Sequence, residues 1–231
     1  MSKSLREPIA SPATSDAEEL QYFKKDFWST ENLKFSRPGC RLQKITKLIA
    51  GIADGKETCD LLDVGCGPAT LMSILPPNVT YHGIDIAIQN PAPNLIERDL
   101  LEAPIDFEDK VFDIVVASGV FEYFGDRQRE KFAEVARILR PTGAFIVTYT
   151  NFGHRSKGAY WALNNIGSLN GFRTDLSREF EICRSFPVGH NWTLREPNRR
   201  LVKDLNMRIN SNIPIVSRFL AVEYFFVCTP R

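Results

Sequence analysis

The chain has 231 residues, the size of one large α/β domain, and its 43% hydrophobic content is enough for a sizeable core. Its 29 basic and 28 acidic side chains nearly cancel, which removes the electrostatic case for a nucleic-acid or membrane-surface partner. No stretch approaches the roughly 20 apolar residues of a membrane span.

In chain order, Met1 to Asp16 is polar, carries Pro8 and Pro12, and lacks an apolar signal core. It is expected to be a mobile tail of a cytoplasmic protein. The cysteines at 40, 59, 66, 183 and 228 are odd in number and form no Cys-x-x-Cys pair. They are expected to be reduced core thiols, neither a disulfide set nor a metal site. Leu42, Ile45, Leu48, Ile49 and Ile52 recur at helical spacing, so a helix leads into the next element.

Cys59 to Val64 reads as a buried strand with Asp63 near its end, followed by the turn Gly65-Cys66-Gly67. Glycines there let the backbone turn sharply and remove the Cβ atoms that would block a ligand lying across it. A short helix is predicted to open at Pro68 and to stop at Pro76-Pro77. Thr80 to Asp85 reads as a second strand ending in an acid, 18 residues beyond Gly67. A carboxylate so placed can accept hydrogen bonds from both hydroxyls of a ribose. Asn94 to Leu100 reads as a short third strand ending in Asp99, and Val111 to Ser118 as a fourth, apolar on both faces. Asp126 to Arg140 is a predicted amphipathic helix with Phe132, Val135, Ala136 and Leu139 on one side. Pro141-Thr142-Gly143 then turns into a fifth strand, Ala144 to Tyr149.

The succession Asp63-x-Gly65-x-Gly67, Asp85, Asp99-Leu100 and Phe112-Asp113-Ile114-Val115 resembles the class I S-adenosylmethionine-dependent methyltransferases, in their small-molecule branch. Leu139-Arg140-Pro141-Thr142-Gly143 before the fifth strand adds to the similarity, which covers about residues 40 to 150 well. The resemblance implies a Rossmann-like, doubly wound α/β fold in one domain over residues 1–231. Its sheet would be mostly parallel and seven-stranded, with helices on both faces and a lid insertion after strand five. It also implies that S-adenosylmethionine is the cofactor. Gly65, Cys66 and Gly67 would pass under its methionine part, and Asp63 would support the turn or the amino group. Asp85 would hold the ribose, Asp99 and the N–H of Leu100 the adenine, and Ser118 would lie near the sulfonium. A nicotinamide dehydrogenase fits less well, because Thr70 stands where its third glycine belongs and it has no use for Asp63 or Asp99.

Residues 151–192 are too many for a plain connection and are predicted to form a lid over the acceptor, with one helix near Lys157 to Ile166. A capping box at Thr193 to Glu196 meets Pro197, where a helix can begin. Leu220 to Thr229 reads as the last strand. Acid–base candidates are His154, close after strand five, and His190, before Trp192; His82 lies within strand two and reads as structural. Tyr123 of Phe121-Glu122-Tyr123 stands where many relatives carry a histidine. Phe23, Phe27, Trp28, Tyr160, Trp161 and Trp192 are candidates to line an apolar acceptor pocket.

The expected reaction is in-line methyl transfer to an oxygen or nitrogen of a small-molecule or glycosyl metabolite, chemistry that asks mainly for alignment and exclusion of water. A protein or nucleic-acid methyltransferase is the alternative. It lacks support from the charge balance, and no Asn-Pro-Pro-Tyr-like motif follows strand four. A non-catalytic cofactor-binding or interaction protein on the same scaffold is the other.

Overall fold

The computed structural model of the protein describes residues 38–150, 168–187, 190–192, 207–209 and 223–231. Helix α1 (Cys40–Ala53) follows the predicted stripe, with Ile45, Ile49 and Ala53 buried four residues apart. After it come β1 (Cys59–Val64), β2 (Val79–Asp85), β3 (Leu95–Glu97) and β4 (Phe112–Ala117). Helix α2 (Gln128–Ile138), β5 (Leu139–Thr150), α3 (Leu169–Glu179), β6 (Phe180–Pro187), β7 (His190–Trp192), β8 (Met207–Ile209) and β9 (Glu223–Pro230) complete the order.

Seven strands form one sheet in the order β3-β2-β1-β4-β5-β9-β6, while β7 and β8 pair separately. From β1 the chain winds outward through β2 and β3, then returns to place β4 on the other side of β1. That reversal puts a crevice outside the carboxyl ends of β1 and β4, where open α/β sheets bind ligands. Alternate residues serve the two faces. Leu61, Ile114, Val116, Ile146 and Phe225 pack with α1, and Leu62, Val115, Phe145, Val147 and Phe226 with Phe132 of α2 and Phe172 of α3.

The expected mostly parallel sheet holds in part: β3, β2, β1, β4 and β5 pair in parallel, but β9 is antiparallel to both β5 and β6, so the sheet is mixed. An apolar run carries the same composition whichever way it is threaded, so strand direction was not legible. The predicted helix at Pro68 is a short 3-10 turn instead, Thr70–Ile74. Ala69 is left-handed (φ 54°), and Leu75 is extended before Pro76, so too few residues remain for an α-helix. The third strand ends at Glu97 and not at Asp99, because Asp99 begins a turn: its carbonyl accepts from Glu102 and Ala103, and its side chain from Leu101. The fifth strand starts early, at Leu139, with residues 140–143 bulging between the pairs Phe112↔Leu139 and Ile114↔Ala144.

Within the predicted lid, residues 151–192, residues 168–187 are among those described. These form α3, capped by Ser168 Oγ accepting from Gly171 N at 3.1 Å, and the edge strand β6. Phe172, Leu176 and Phe180 of this stretch are buried against the sheet and join the core. The tail Met1 to Asp16, the helix near Lys157 to Ile166, the start at Pro197, His154, and the aromatics Phe23, Phe27, Trp28, Tyr160 and Trp161 lie outside the described residues. Cys59, Cys66 and Cys228 are buried as expected, but Cys183 is exposed, since it sits on an edge strand.

The amino-terminal edge is held by charge. Asp113 accepts from Lys56 Nζ at 2.8 Å, from the N–H of Asp60 at 3.0 Å, and from Arg140, which also reaches Asp60 at 3.1 Å. Burial alone would raise the Asp113 pKa; these partners outweigh it and hold the carboxyl below its usual range. Asp113 therefore serves the edge opposite the glycine turn. A cleft of about 390 Å³ opens at this same edge, lined in part by Asp60, His82, Phe107 and Arg140. His82 packs edge-on against Phe112 there, with ring centroids 5.7 Å apart.

Candidate functional site

The glycine turn is built at the end of β1. Gly65 N and Cys66 N both donate to Ile84 O, at 2.8 and 3.2 Å, tying the turn to the end of β2. Gly65 has φ 70°, and a Cβ on it would sit 2.6 Å from Val120 Cγ2. Gly67 has φ 53°, yet a Cβ there would meet no described atom within 4 Å. The first glycine is thus required by the protein's own packing, and the second meets no described atom. Gly83, which sequence reading passed over, has the same kind of constraint as Gly65. A Cβ on it would lie 2.8 Å from Leu95 Cδ2 and 2.9 Å from Cys66 Sγ. The Cys66 side chain is buried, and burial, with Asp63 and Asp85 nearby, pushes its thiol pKa up. Cys66 therefore offers the crevice its backbone, not a thiolate.

Asp85 closes the turn from the β2 side. Its Oδ2 accepts from Gly67 N at 2.8 Å and its Oδ1 from Ala87 N at 3.1 Å. Burial raises its pKa, and these backbone N–H groups oppose the rise. Each carboxylate oxygen has a further lone-pair site, so the group can hold the turn and still accept from a diol. Arg98 N donates to Asp85 O at 2.7 Å, which brings the start of the Asp99-Leu100 turn alongside. Asp99 is half-buried and Leu100 is buried. Glu97, the acid that really ends β3, accepts from Ile88 N at 3.0 Å and braces the loop after Asp85.

Asp63 points the other way, into the α1 side of the core, where it accepts from Tyr81 Oη at 2.9 Å. Burial, opposed by that hydrogen bond and reinforced by Asp85, pushes its pKa up to about 7 from 3.8. The folded chain then binds this proton more tightly than the unfolded chain does. Stability should fall as pH rises from about 4 to about 7 and then level off. Asp63→Asn keeps an acceptor for Tyr81 and removes the titration. It should stabilise the protein by about 1–2 kcal/mol at pH 8, with the gain vanishing below about pH 4. Calorimetric melting at both pH values checks this, and an equal offset at the two would overturn it.

At the end of β4, Ser118 Oγ is buried with no hydrogen-bond partner among the described residues. Next to it, Gly119 N donates to Thr148 Oγ1 at 2.9 Å. Arg41 Nη1 lies 3.0 Å from where a Gly119 Cβ would be and pairs with Glu223 Oε1 at 2.8 Å, linking α1 to β9 across this end of the sheet. Tyr81, Thr148, Arg41 and Glu223 carried no local signal, because only folding brings them to the crevice. In Phe121-Glu122-Tyr123, Phe121 and Glu122 are buried and Tyr123 is half-buried. Tyr149 beside them is buried, which pushes its phenol up to about 12 against a hydrogen bond from Gln128, with Glu122 adding to the rise.

Folding thus brings Gly65, Cys66, Gly67 and Asp85 into one hydrogen-bonded cluster, with Asp99 and Leu100 adjoining, while Asp63 is turned to Tyr81 on the α1 side. Ser118 stands across the turn, on the loop whose Val120 faces Gly65. His190 lies in β7, opposite Ile209 of β8. Among the described residues, no helix is long and apolar enough to cross a membrane.

Residues 62–147, from β1 to β5, match the model of the methyltransferase domain family. No curated protein matches the sequence. Among solved structures, the chain is similar to a SAM-dependent methyltransferase from Archaeoglobus fulgidus. The two share 18% identity at a TM-score of 0.61, over 90% of this chain and 98% of that one. It is also similar to Burkholderia thailandensis 1,6-didemethyltoxoflavin-N1-methyltransferase, solved with 1,6-didemethyltoxoflavin and S-adenosylhomocysteine bound. Identity there is 12% and the TM-score 0.59, over 98% and 93% of the two chains. A third likeness is to the complex of the Haloferax volcanii Trm112 methyltransferase activator with a methyltransferase, at 15% identity and a TM-score of 0.61, over 88% and 94%. At these identities, what is shared is the fold.

Proposed function

We propose that this enzyme, whose residues 62–147 form a methyltransferase domain, transfers a methyl group from S-adenosylmethionine to an oxygen or nitrogen of a small-molecule or glycosyl metabolite. The carrying observation is Asp85, whose two oxygens hold Gly67 and Ala87 at a turn by the sheet's switch point where a Gly67 Cβ would meet no described atom. The Ser118 hydroxyl, buried and without a partner among the described residues, fits the same reading as a polar atom that a ligand would satisfy.

When bound, the cofactor supplies an electrophilic methyl group on a positively charged sulfur. The chain's residues would do the rest. Gly65, Cys66 and Gly67 would seat the amino-acid end, with Asp63 supporting the turn through Tyr81. Asp85 would accept from the ribose hydroxyls, Asp99 would accept from the adenine amino group, and Leu100 N–H would donate to the ring. Ser118 would face the reacting end. His154 or His190 would take a proton from a hydroxyl or ammonium acceptor, and the segment after β5 would exclude water. A small acceptor is supported by the near-balanced charge and by the small molecule named with the Burkholderia enzyme.

S-adenosylmethionine and S-adenosylhomocysteine should each raise Tm through binding to the native state, while NAD and NADP leave it unchanged. Calorimetry on folded protein giving no heat with either sulfur nucleoside would sink the reading. Turnover is then sought as S-adenosylhomocysteine released in the presence of hydroxylated and aminated metabolites.

A further inference from the structure

Between β3 and β4, residues 98–111 contain no helix or strand, yet Leu100 and Ile105 in this stretch are buried. A buried loop must find partners for its backbone polar groups, and here one edge of α2 supplies them. Lys131 Nζ donates to Ala103 O at 2.9 Å, and Ile105 N donates to Glu134 Oε2 at 2.9 Å. Arg137 Nη2 donates to Ile105 O at 2.9 Å, and its Nη1 to Phe107 O at 2.7 Å. These side chains, three residues apart, lie on one helical edge and stand in for the missing element.

Lys131 is unusual among them. Its side chain is 0% exposed, and Glu134, itself only 13% exposed, accepts from it through both oxygens at 3.0 Å. An apolar residue would fill the same space without the cost of desolvating a charge. What the lysine adds is direction. The Ala103 carbonyl it holds belongs to the residue whose N–H donates to Asp99 O at 2.9 Å. One residue thus links the ammonium to the residue assigned to the adenine amino group.

We infer that Lys131, paired with Glu134, is a positioning residue for base recognition: it fixes the Asp99–Ala103 turn so that the Asp99 carboxylate meets the amino group of the bound nucleoside. The inference rests on the reading of Asp99 given under Proposed function. Asp99 Oδ1 is already engaged by Leu101 N at 2.8 Å, so a small rotation of the turn re-aims the remaining oxygen.

The test compares affinities for S-adenosylhomocysteine and S-inosylhomocysteine, which carries an oxo group in place of the amino group. The wild-type protein should prefer the adenosyl ligand by about tenfold or more, the loss expected when a carboxylate faces an acceptor. Lys131→Met fills the volume without the ammonium and should shrink this preference to within about threefold. Arg137→Met, which frees only the far part of the loop, should lower Tm and keep the full preference. A merely structural lysine would behave like Arg137: Lys131→Met would lose stability and retain the wild-type preference, overturning the inference. Should Lys131→Met fail to fold, Glu134→Gln breaks the charge pair while keeping an acceptor for Ile105, and the same two outcomes decide. Wild-type protein that binds both ligands equally would remove the adenine assignment to Asp99, and the inference with it. Wild-type protein that binds neither would instead remove the cofactor reading itself.

Discussion

Gly65→Ala should produce the largest loss of stability of any single change at the turn. Two costs add at that position. Alanine must adopt φ 70°, and its Cβ would lie 2.6 Å from Val120 Cγ2 and 2.8 Å from Val120 Cβ. A valine is stiff at χ1, and its Cβ cannot swing aside, so the backbone beyond β4 has to move. We expect a loss of about 3 kcal/mol, from left-handed strain plus overpacking. For a chain of this size that is a fall in Tm of roughly 6–12 °C. Gly67→Ala is the informative control. It too must adopt a left-handed φ, 53°, but its Cβ would meet no described atom. It should lose about 1–2 kcal/mol from strain alone. Its effect on S-adenosylhomocysteine affinity should be the larger one, since the methyl would project into the space assigned to the ligand. Thermal melts and calorimetric titrations of the two variants separate the outcomes. Equal Tm losses at 65 and 67 would show that Val120 yields.

The second large effect is on binding. Asp85→Ala removes the acceptor assigned to the ribose hydroxyls and should weaken S-adenosylhomocysteine binding by about 100-fold, the value of charge-assisted hydrogen bonds to a diol. From the sequence, a strand-end acid facing a cleft is expected to carry little of the fold. The structure changes that expectation, because Asp85 is only 9% exposed and holds the N–H groups of Gly67 and Ala87. The alanine variant should therefore also lose about 1–2 kcal/mol of stability, from donors left without their acceptor. Asp85→Asn separates the two roles. One amide oxygen can still accept a backbone N–H, so stability should recover in part, while affinity stays low because the second acceptor has become a donor. Full affinity in both variants would place the nucleoside elsewhere.

Local sequence determined much of this protein, for a physical reason. Strands such as β1 and β4 are buried on both faces, and α1 on one, so composition and spacing alone reveal them. The glycines at 65 and 67 and the acid at 85 were legible because a tight turn and a strand-end carboxylate each need particular residue types. Residues 168–187 were not, since a helix and an edge strand that bury only a few side chains leave a weak periodic signal. Tertiary structure alone decided the rest. It ran β9 against its neighbours, turned Asp63 toward Tyr81, and put Gly67 N 2.8 Å from a carboxylate 18 residues away. It also set Arg41 beside Glu223 and buried Lys131 under a loop whose Ala103 carbonyl it satisfies. A hydrogen bond between distant residues leaves no mark on either one's neighbours in the chain. Which acid stands alone and which is held becomes defined only when the sheet has formed.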